Sequence, residues 1–284
     1  MPAVAFDSPL DERRPWLEQL DIDAAIDVPG ANSPLYLTDA QDGVAVTTSG
    51  MGKAEAATTV TALSHAAGVD LTETTWLSAG IAGGAPERTA LGSVFFADAV
   101  LDWDRKHRWD PAEISASDHA VERLAYLPEG SLHRIEPTLL AAAYEAARDV
   151  ELATDDRATH LRSRYPNAPT DGPTVGVGPT VTSDEFWHGT SVARAVERYC
   201  SAYGLDPYAT TQMEDAATAV ALARVDSLDR FLSLRAVANF DRPAPDQDVH
   251  DSFEGTPETI QLALENLVRV GSAVVEHLLA PSGN

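Results

Sequence analysis

Several short segments carry the residue types that could do chemistry. Ser49-Gly50-Met51-Gly52-Lys53 joins an expected strand, Val44–Thr48, to a helix expected over Gly52–Ala67. Glycines there let a ligand approach backbone N–H groups at a helix N-terminus, a place that favours an anion. It is not a GxxxxGK[ST] loop, and a plain chain reversal explains a two-glycine turn equally well. Ala79-Gly80-Ile81-Ala82-Gly83-Gly84 follows the expected strand Thr75–Ala79 and holds more glycine than a turn needs. Close packing of Gly80 and Gly83 against backbone or against a substrate is expected. In Thr182-Ser183-Asp184-Glu185-Phe186-Trp187-His188, Phe186 and Trp187 could sandwich a flat heterocycle. Core aromatics beside a turn is the plainer alternative.

Two further segments supply polar groups. Thr210-Thr211-Gln212-Met213-Glu214-Asp215 places a carboxylate at the start of a helix expected over Met213–Arg224. A buried carboxylate there could accept hydrogen bonds from vicinal sugar hydroxyls. An acid in the first turn also stabilises a helix on its own, by about 0.3–1 kcal/mol. Val237-Ala238-Asn239-Phe240-Asp241-Arg242-Pro243 ends the expected strand Leu232–Ala238, where α/β folds place ligand contacts. The eight histidines are scattered, with no H-x-x-x-H pair and no HExxH, so no metal site is expected. Cys200, the single cysteine, lies on an apolar helix face and reads as core; no disulfide can form within the chain.

Apolar runs and helical segments must position these groups, and they alternate as in an α/β domain with a partly parallel sheet. Further strands are expected at Ala3–Phe6, Ser93–Val100 and Thr174–Val177. Further helices are expected over Thr138–Asp149 after Pro137, and from a Thr190 or Ser191 cap to Gly204. A last helix is expected from Thr256 as N-cap and Pro257 at N1, with Ile260, Leu264, Leu267, Gly271, Val274 and Leu278 as its buried stripe. Gly271 marks close packing. Asp102–Gly130 and Asp155–Pro173 are more polar, without a composition break sharp enough for a domain boundary. The expectation is one α/β domain over residues 1–284, with a central mixed, partly parallel sheet flanked by helices.

Composition sets the limits. With 44 acidic and 20 basic residues among 284, the net charge is −24, and Lys53 and Lys106 are the lysines. Such a surface repels phosphate backbones and anionic membranes, which excludes nucleic acid as the main partner. The acidity is spread along the chain and reads as a halophile signature, since at 1 M salt the Debye length is only about 3 Å; an ordinary acidic cytosolic enzyme is the alternative. The opening residues show no signal peptide, and no run of about 18 apolar residues occurs, so a cytoplasmic protein without membrane insertion is expected.

The order and context of these segments resemble the nucleoside phosphorylase superfamily, and within it the purine nucleoside permease-type family. GMGKAEAATT, SAGIAGGAPERTALGSVFFADAV, TSDEFWHG, TTQMEDAA and LRAVANFDRP carry the resemblance, which spans roughly Phe6 to Leu279. Gln212-Met213-Glu214 looks like the Glu-Met-Glu motif of the phosphorylases, Phe186 and Trp187 like their base-stacking pair, and Ala238-Asn239 like their Ser-Asp pair.

The resemblance implies that Glu214 holds the ribose hydroxyls, Met213 packs on the sugar and Asn239 faces N7 of the purine. An amide there can donate a hydrogen bond but no proton, which favours guanosine or inosine over adenosine; Asp241 could restore an acid. Phosphorolysis to the base and ribose 1-phosphate is the implied reaction, with phosphate as co-substrate and no further cofactor. Where phosphorylases place Arg and Ser at the Gly-rich strand end, this chain offers Ser78 and Ile81, and its first loop reads Phe6-Asp7-Ser8-Pro9. Phosphate could still be held by Ser49, the Gly50 and Gly52 amides, Lys53, or Arg13 and Arg14. Water as nucleophile, giving free ribose, is one alternative; a nucleoside-binding protein that supports uptake without turnover is another. The superfamily also implies a symmetric homo-oligomer.

Overall fold

The computed structural model describes residues 11–38, 43–115, 118–124, 126, 130–252 and 255–280. The strand expected at Ala3–Phe6 and the Phe6–Pro9 loop lie outside the described residues. After the short helix α1 (Arg14–Leu17), three small strands form an antiparallel sheet: β1 (Ala24–Ile26), β2 (Leu35–Leu37) and β3 (Ala45–Val46). Helix α2 (Lys53–Ser64) leads to β4 (Trp76–Gly84) and β5 (Val94–Asp102). A side hairpin, β6 (Lys106–Arg108) with β7 (Val121–Arg123), precedes β8 (Leu132–Arg134), α3 (Pro137–Ala147) and α4 (Asp156–Ser163). The chain then runs through β9 (Val175–Thr182), α5 (Thr190–Ala202), β10 (Thr210–Gln212), α6 (Asp215–Ala223), β11 (Phe231–Phe240), α7 (Val249–Ser252) and α8 (Pro257–Leu279).

The architecture is α/β with a central mixed sheet flanked by helices. Its strand order is β11-β4-β10-β9-β5-β8, and β11 also pairs antiparallel with β5. That second pairing closes five of the strands into a ring, which no local sequence pattern announces. Parallel β11 and β4 place Ser233 opposite Ser78 and Arg235 opposite Gly80; a bulge between Val237 and Asn239 then sets Asn239 opposite Gly83. Bulges re-aim side chains beside functional sites.

Strands extend further than expected at the ends that matter. β4 runs through the whole Gly-rich segment to Gly84, and β9 runs to Thr182. Flanking helices are set by local chemistry. Thr256 and Thr259 form a reciprocal capping box at the start of α8, behind Pro257. Glu136 accepts from the Leu139 N–H ahead of α3, and Asp155 from the Ala158 N–H ahead of α4, a helix that the polar composition of its segment had concealed. The N-cap of α5 is Gly189, one residue before Thr190, with no side-chain cap.

The main core lies between the sheet and α2, α3, α6 and α8. A second cluster, with Trp103, Trp187, Tyr199, Cys200 and Tyr208, lies under α5. Burial pushes the Cys200 thiol up to about 12, as expected of a packing residue. In α8, Gly271 lies directly against the buried Trp16 indole, where any β-carbon would collide. The contact seats α1 on α8 and fixes the segment that carries Glu12.

Candidate active site

The junction between β10 and α6 holds two consecutive buried carboxylates, Glu214 and Asp215. Gln212 builds that junction. Its Oε1 accepts from the N–H groups of Glu214 (2.7 Å) and Asp215 (2.9 Å), satisfying donors that a helix start leaves unpaired. Its Nε2 donates to Thr182 Oγ1 at 2.7 Å, and that oxygen also accepts from the Ala216 N–H at 3.0 Å. An amide, unlike a carboxylate, both donates and accepts here.

Arg235, in the middle of β11, is buried against both acids. Its Nε donates to Asp215 Oδ2 at 3.1 Å and Nη2 to Asp215 Oδ1; Nη2 also reaches Ser78 Oγ at 2.9 Å, and Nη1 reaches Glu214 Oε2 at 3.3 Å. Ser78 and Ser233 donate to the two Asp215 oxygens at 2.7 and 2.5 Å. Opposite Arg235, Gly80 leaves room for the guanidinium: a β-carbon there would lie 2.7 Å from Arg235 Nη1 and 3.3 Å from Glu12 Oε1. The neighbouring Ile81 N–H donates to Glu12 Oε1 at 2.8 Å. Glu12, Glu214 and Arg235 therefore converge around the Gly-rich strand.

Glu214 is further held by the Gly52 N–H, 3.0 Å from its Oε1, at the N-terminus of α2. Burial pushes its carboxyl up to about 7; Arg235 and the Gly52 N–H oppose the rise, and the charges of Glu12 and Asp215 add to it. Three buried carboxylates thus share one buried guanidinium. Burial alone would lower the Arg235 pKa, but Asp215 and Glu214 carry it above its ordinary value, so the guanidinium stays charged.

The residues expected to hold phosphate are placed near this cluster with other partners. Lys53 Nζ lies 3.0 Å from Asp102 Oδ1 and 2.8 Å from Asp104 Oδ2. Burial would lower its pKa, but the hydrogen bonds and charges of Asp104 and Asp102 raise it overall. The Lys53 N–H donates to Asp184 Oδ1 at 2.7 Å, so carboxylates already take both leading N–H groups of α2. Ser49 Oγ donates to the Gly50 carbonyl at 3.0 Å. Arg13 lies over the Tyr36 ring and pairs loosely with Asp11, while Arg14 pairs with Glu18.

The aromatic pair is divided. Trp187 is buried edge-on to Tyr208 in the core under α5, whereas Phe186 is 54 % exposed. Phe186 alone of the two is largely exposed. Asn239 is half-buried at the bulge of β11, its amide within 3.8 Å of a β-carbon placed at Gly83. Asp241 turns inward instead, accepting from Tyr208 Oη at 2.5 Å and Arg242 Nε at 2.7 Å. Burial raises its carboxyl, with Arg242 and Tyr208 working against the rise. Met213, half-buried, directly precedes Glu214.

The profile described as Purine nucleoside permease (NUP) matches residues 3–281, nearly the whole chain. The chain belongs to the purine nucleoside permease family. A probable purine nucleoside permease of Schizosaccharomyces pombe is 29% identical over 299 residues, covering 94% of this chain and 86% of that protein. Among solved structures, the fold resembles the 5'-methylthioadenosine/S-adenosylhomocysteine nucleosidase of Neisseria meningitidis (18% identity, TM-score 0.61, 97% of this chain and 96% of that one). It also resembles the futalosine hydrolase of Helicobacter pylori (17% identity, TM-score 0.62, 97% and 95% covered). This member of the purine nucleoside permease family thus shares its fold with a nucleosidase and a futalosine hydrolase. Among the described residues no helix is long and apolar enough to cross a membrane.

Three members of the cluster escape a reading by motif. Glu12 lies in the charged run Asp-Glu-Arg-Arg, Asp215 passes for a first-turn helix acid, and Arg235 is a lone charge in the apolar run Leu-Ser-Leu-Arg-Ala-Val. The last carries a usable signal, because a charge in a buried strand demands a partner.

Proposed function

We propose that this protein cleaves the N-glycosidic bond of a purine nucleoside, with water as the nucleophile and Glu12 as its base. The observation that carries the reading is the charge balance around Gly80: among the described residues, Glu12, Glu214 and Asp215 gather about the Arg235 guanidinium. A ribosyl centre losing its base develops positive charge, and fixed buried carboxylates stabilise it as it forms. The same carboxylates oppose a phosphate dianion, and the groups expected to hold phosphate are already paired. The family name and the nucleosidase-like fold support the substrate class.

In this reaction the bond between C1′ and the purine nitrogen breaks, and its electron pair leaves with the base. Water adds to C1′ and gives a proton to the Glu12 carboxylate. Glu214 accepts hydrogen bonds from the ribose hydroxyls and Met213 packs on the sugar. Phe186 offers a ring face to the base. Asn239 donates to N7, which suits a 6-oxopurine such as guanine or hypoxanthine that leaves as a delocalised anion and takes its proton from water. The permease names of the relatives favour a second reading, capture of a nucleoside in support of uptake, which requires binding without turnover.

A product assay in about molar KCl, with salt chosen to screen the acidic surface, tests these readings. Guanosine, inosine and adenosine are each incubated with and without phosphate. Free ribose irrespective of phosphate is expected. Ribose 1-phosphate formed only with phosphate would establish phosphorolysis instead, and tight binding without product would leave the uptake reading.

A further inference from the structure

We propose that Asp215 selects the nucleophile: it binds the Arg235 guanidinium as an internal ion pair and so denies that cation to an inorganic anion such as phosphate. The inference rests on the nucleoside-cleaving reading of the site above. Arg235 is the cation in direct contact with the site carboxylates, and a planar guanidinium fork is the group best suited to gripping phosphate. Asp215 takes its Nε and one Nη2 hydrogen, Ser78 the other Nη2 hydrogen, and Glu214 one Nη1 hydrogen.

The arrangement around Asp215 holds the acid in this use. It is fully buried, and the Ser78 and Ser233 hydroxyls donate to one carboxylate oxygen each, so both oxygens stay turned toward the guanidinium. Its position is set by Gln212, which holds the Asp215 N–H at 2.9 Å at the helix start. Glu214 and Glu12 alone would already outnumber Arg235 and keep the site anionic. The added carboxylate leaves no donor pair for an incoming anion and places one more negative charge beside the place where it would bind. Asp215 is thus a positioning residue acting through Arg235, and it touches no reacting atom.

The test is titration of the protein with inorganic phosphate by calorimetry, without nucleoside, for wild type and Asp215→Ala. The variant is expected to bind phosphate tighter by about tenfold or more, the worth of one charge-assisted hydrogen bond. The gain should vanish in Asp215→Ala/Arg235→Gln, which removes both charges. Should Asp215→Ala not fold, Asp215→Asn, which keeps the volume, carries the same test. A folded variant with wild-type phosphate affinity, or a gain that survives loss of Arg235, overturns the proposal. Ribose release by the wild type without phosphate is measured separately, so failure of the cleavage reading is seen independently of the phosphate titration.

Discussion

Glu214 Oε1 accepts a hydrogen bond from the Gly52 N–H at 3.0 Å, joining the start of α6 to the start of α2 across 162 positions of sequence. The N-terminus of α2, which a glycine-rich turn offers to an anion, is therefore occupied by an anion from the protein itself. Asp184 does the same at the Lys53 N–H. The two carboxylates tie the turn after β3, the loop after β9 and the start of α6 into one unit. A helix start that could have held phosphate instead orients the group proposed to hold ribose.

Burial gives Glu214 a distinctive pH signature, against which the Gly52 N–H works. Its carboxyl has an ordinary value of 4.5 and is pushed to about 7 in the folded protein by burial. Because the folded value is the higher one, the folded state binds the proton more tightly. Glu214 therefore contributes stability below about pH 4.5 that is lost as pH rises through about 7, on the order of 3 kcal/mol in full. Turnover should move the opposite way, since the ionised carboxylate is the form proposed to accept from the ribose hydroxyls. Thermal melts and rates across pH 4.5–8 check both trends. Glu214→Gln should flatten the stability slope in that window and lower kcat/KM by about 10²–10³-fold; an unchanged slope removes Glu214 as its source.

Glu12→Gln separates binding from chemistry. The amide retains an oxygen for the Ile81 N–H, which lies 2.8 Å from the present carboxylate, so the segment stays in place. It cannot take a proton from water. A loss of about 10²–10⁴-fold in kcat, the range of a general base, is expected with nucleoside affinity little changed. Equal losses in binding and turnover would show that Glu12 holds substrate and does not activate water.

The two parts of this site differ in how far sequence reveals them. Helix α8 is legible because its cap, its N1 proline and its apolar stripe agree with one another, and Gly271 meets Trp16 as its place in that stripe implies. The place of Glu214 is legible because a short polar run at a helix start sets an acid where the strand meets the helix. Arg235 and Asp215 become a pair only once β11 lies beside β4 and α6 follows β10, and that proximity is a product of sheet closure. The partners of Lys53 are hidden for the same reason: Asp102 ends β5 and Asp104 follows just after it. Trp187 and Phe186 are adjacent in sequence yet separate in space, because the chain turns between a core and a surface position.

Gly80→Ala probes the crowding that defines the site. A β-carbon would lie 2.7 Å from Arg235 Nη1 and 3.3 Å from Glu12 Oε1, between two groups that packing and hydrogen bonds hold in place. Overpacking of this kind costs about 1–3 kcal/mol. The melting temperature should fall accordingly, and turnover should fall further than stability because Glu12 and Arg235 are both displaced. A variant with lowered stability and intact turnover would place the chemistry away from Gly80.

Asn239→Asp tests how the base leaves. The bulge between Val237 and Asn239 aims this residue at the Gly83 end of β4, half-buried, where a carboxyl could be protonated and donate its proton to N7. Adenine, without a 6-oxo group to spread charge, gains most from a proton donor; guanine and hypoxanthine gain little. The ratio of kcat/KM for adenosine to that for guanosine should therefore rise by about tenfold or more, as expected when general acid catalysis becomes available to one substrate. Asp241, paired to Arg242 and Tyr208, gives no such route, and Asp241→Asn should leave the ratio unaltered while lowering stability. A ratio that moves with Asp241 and not with Asn239 would transfer the role of leaving-group partner to Asp241.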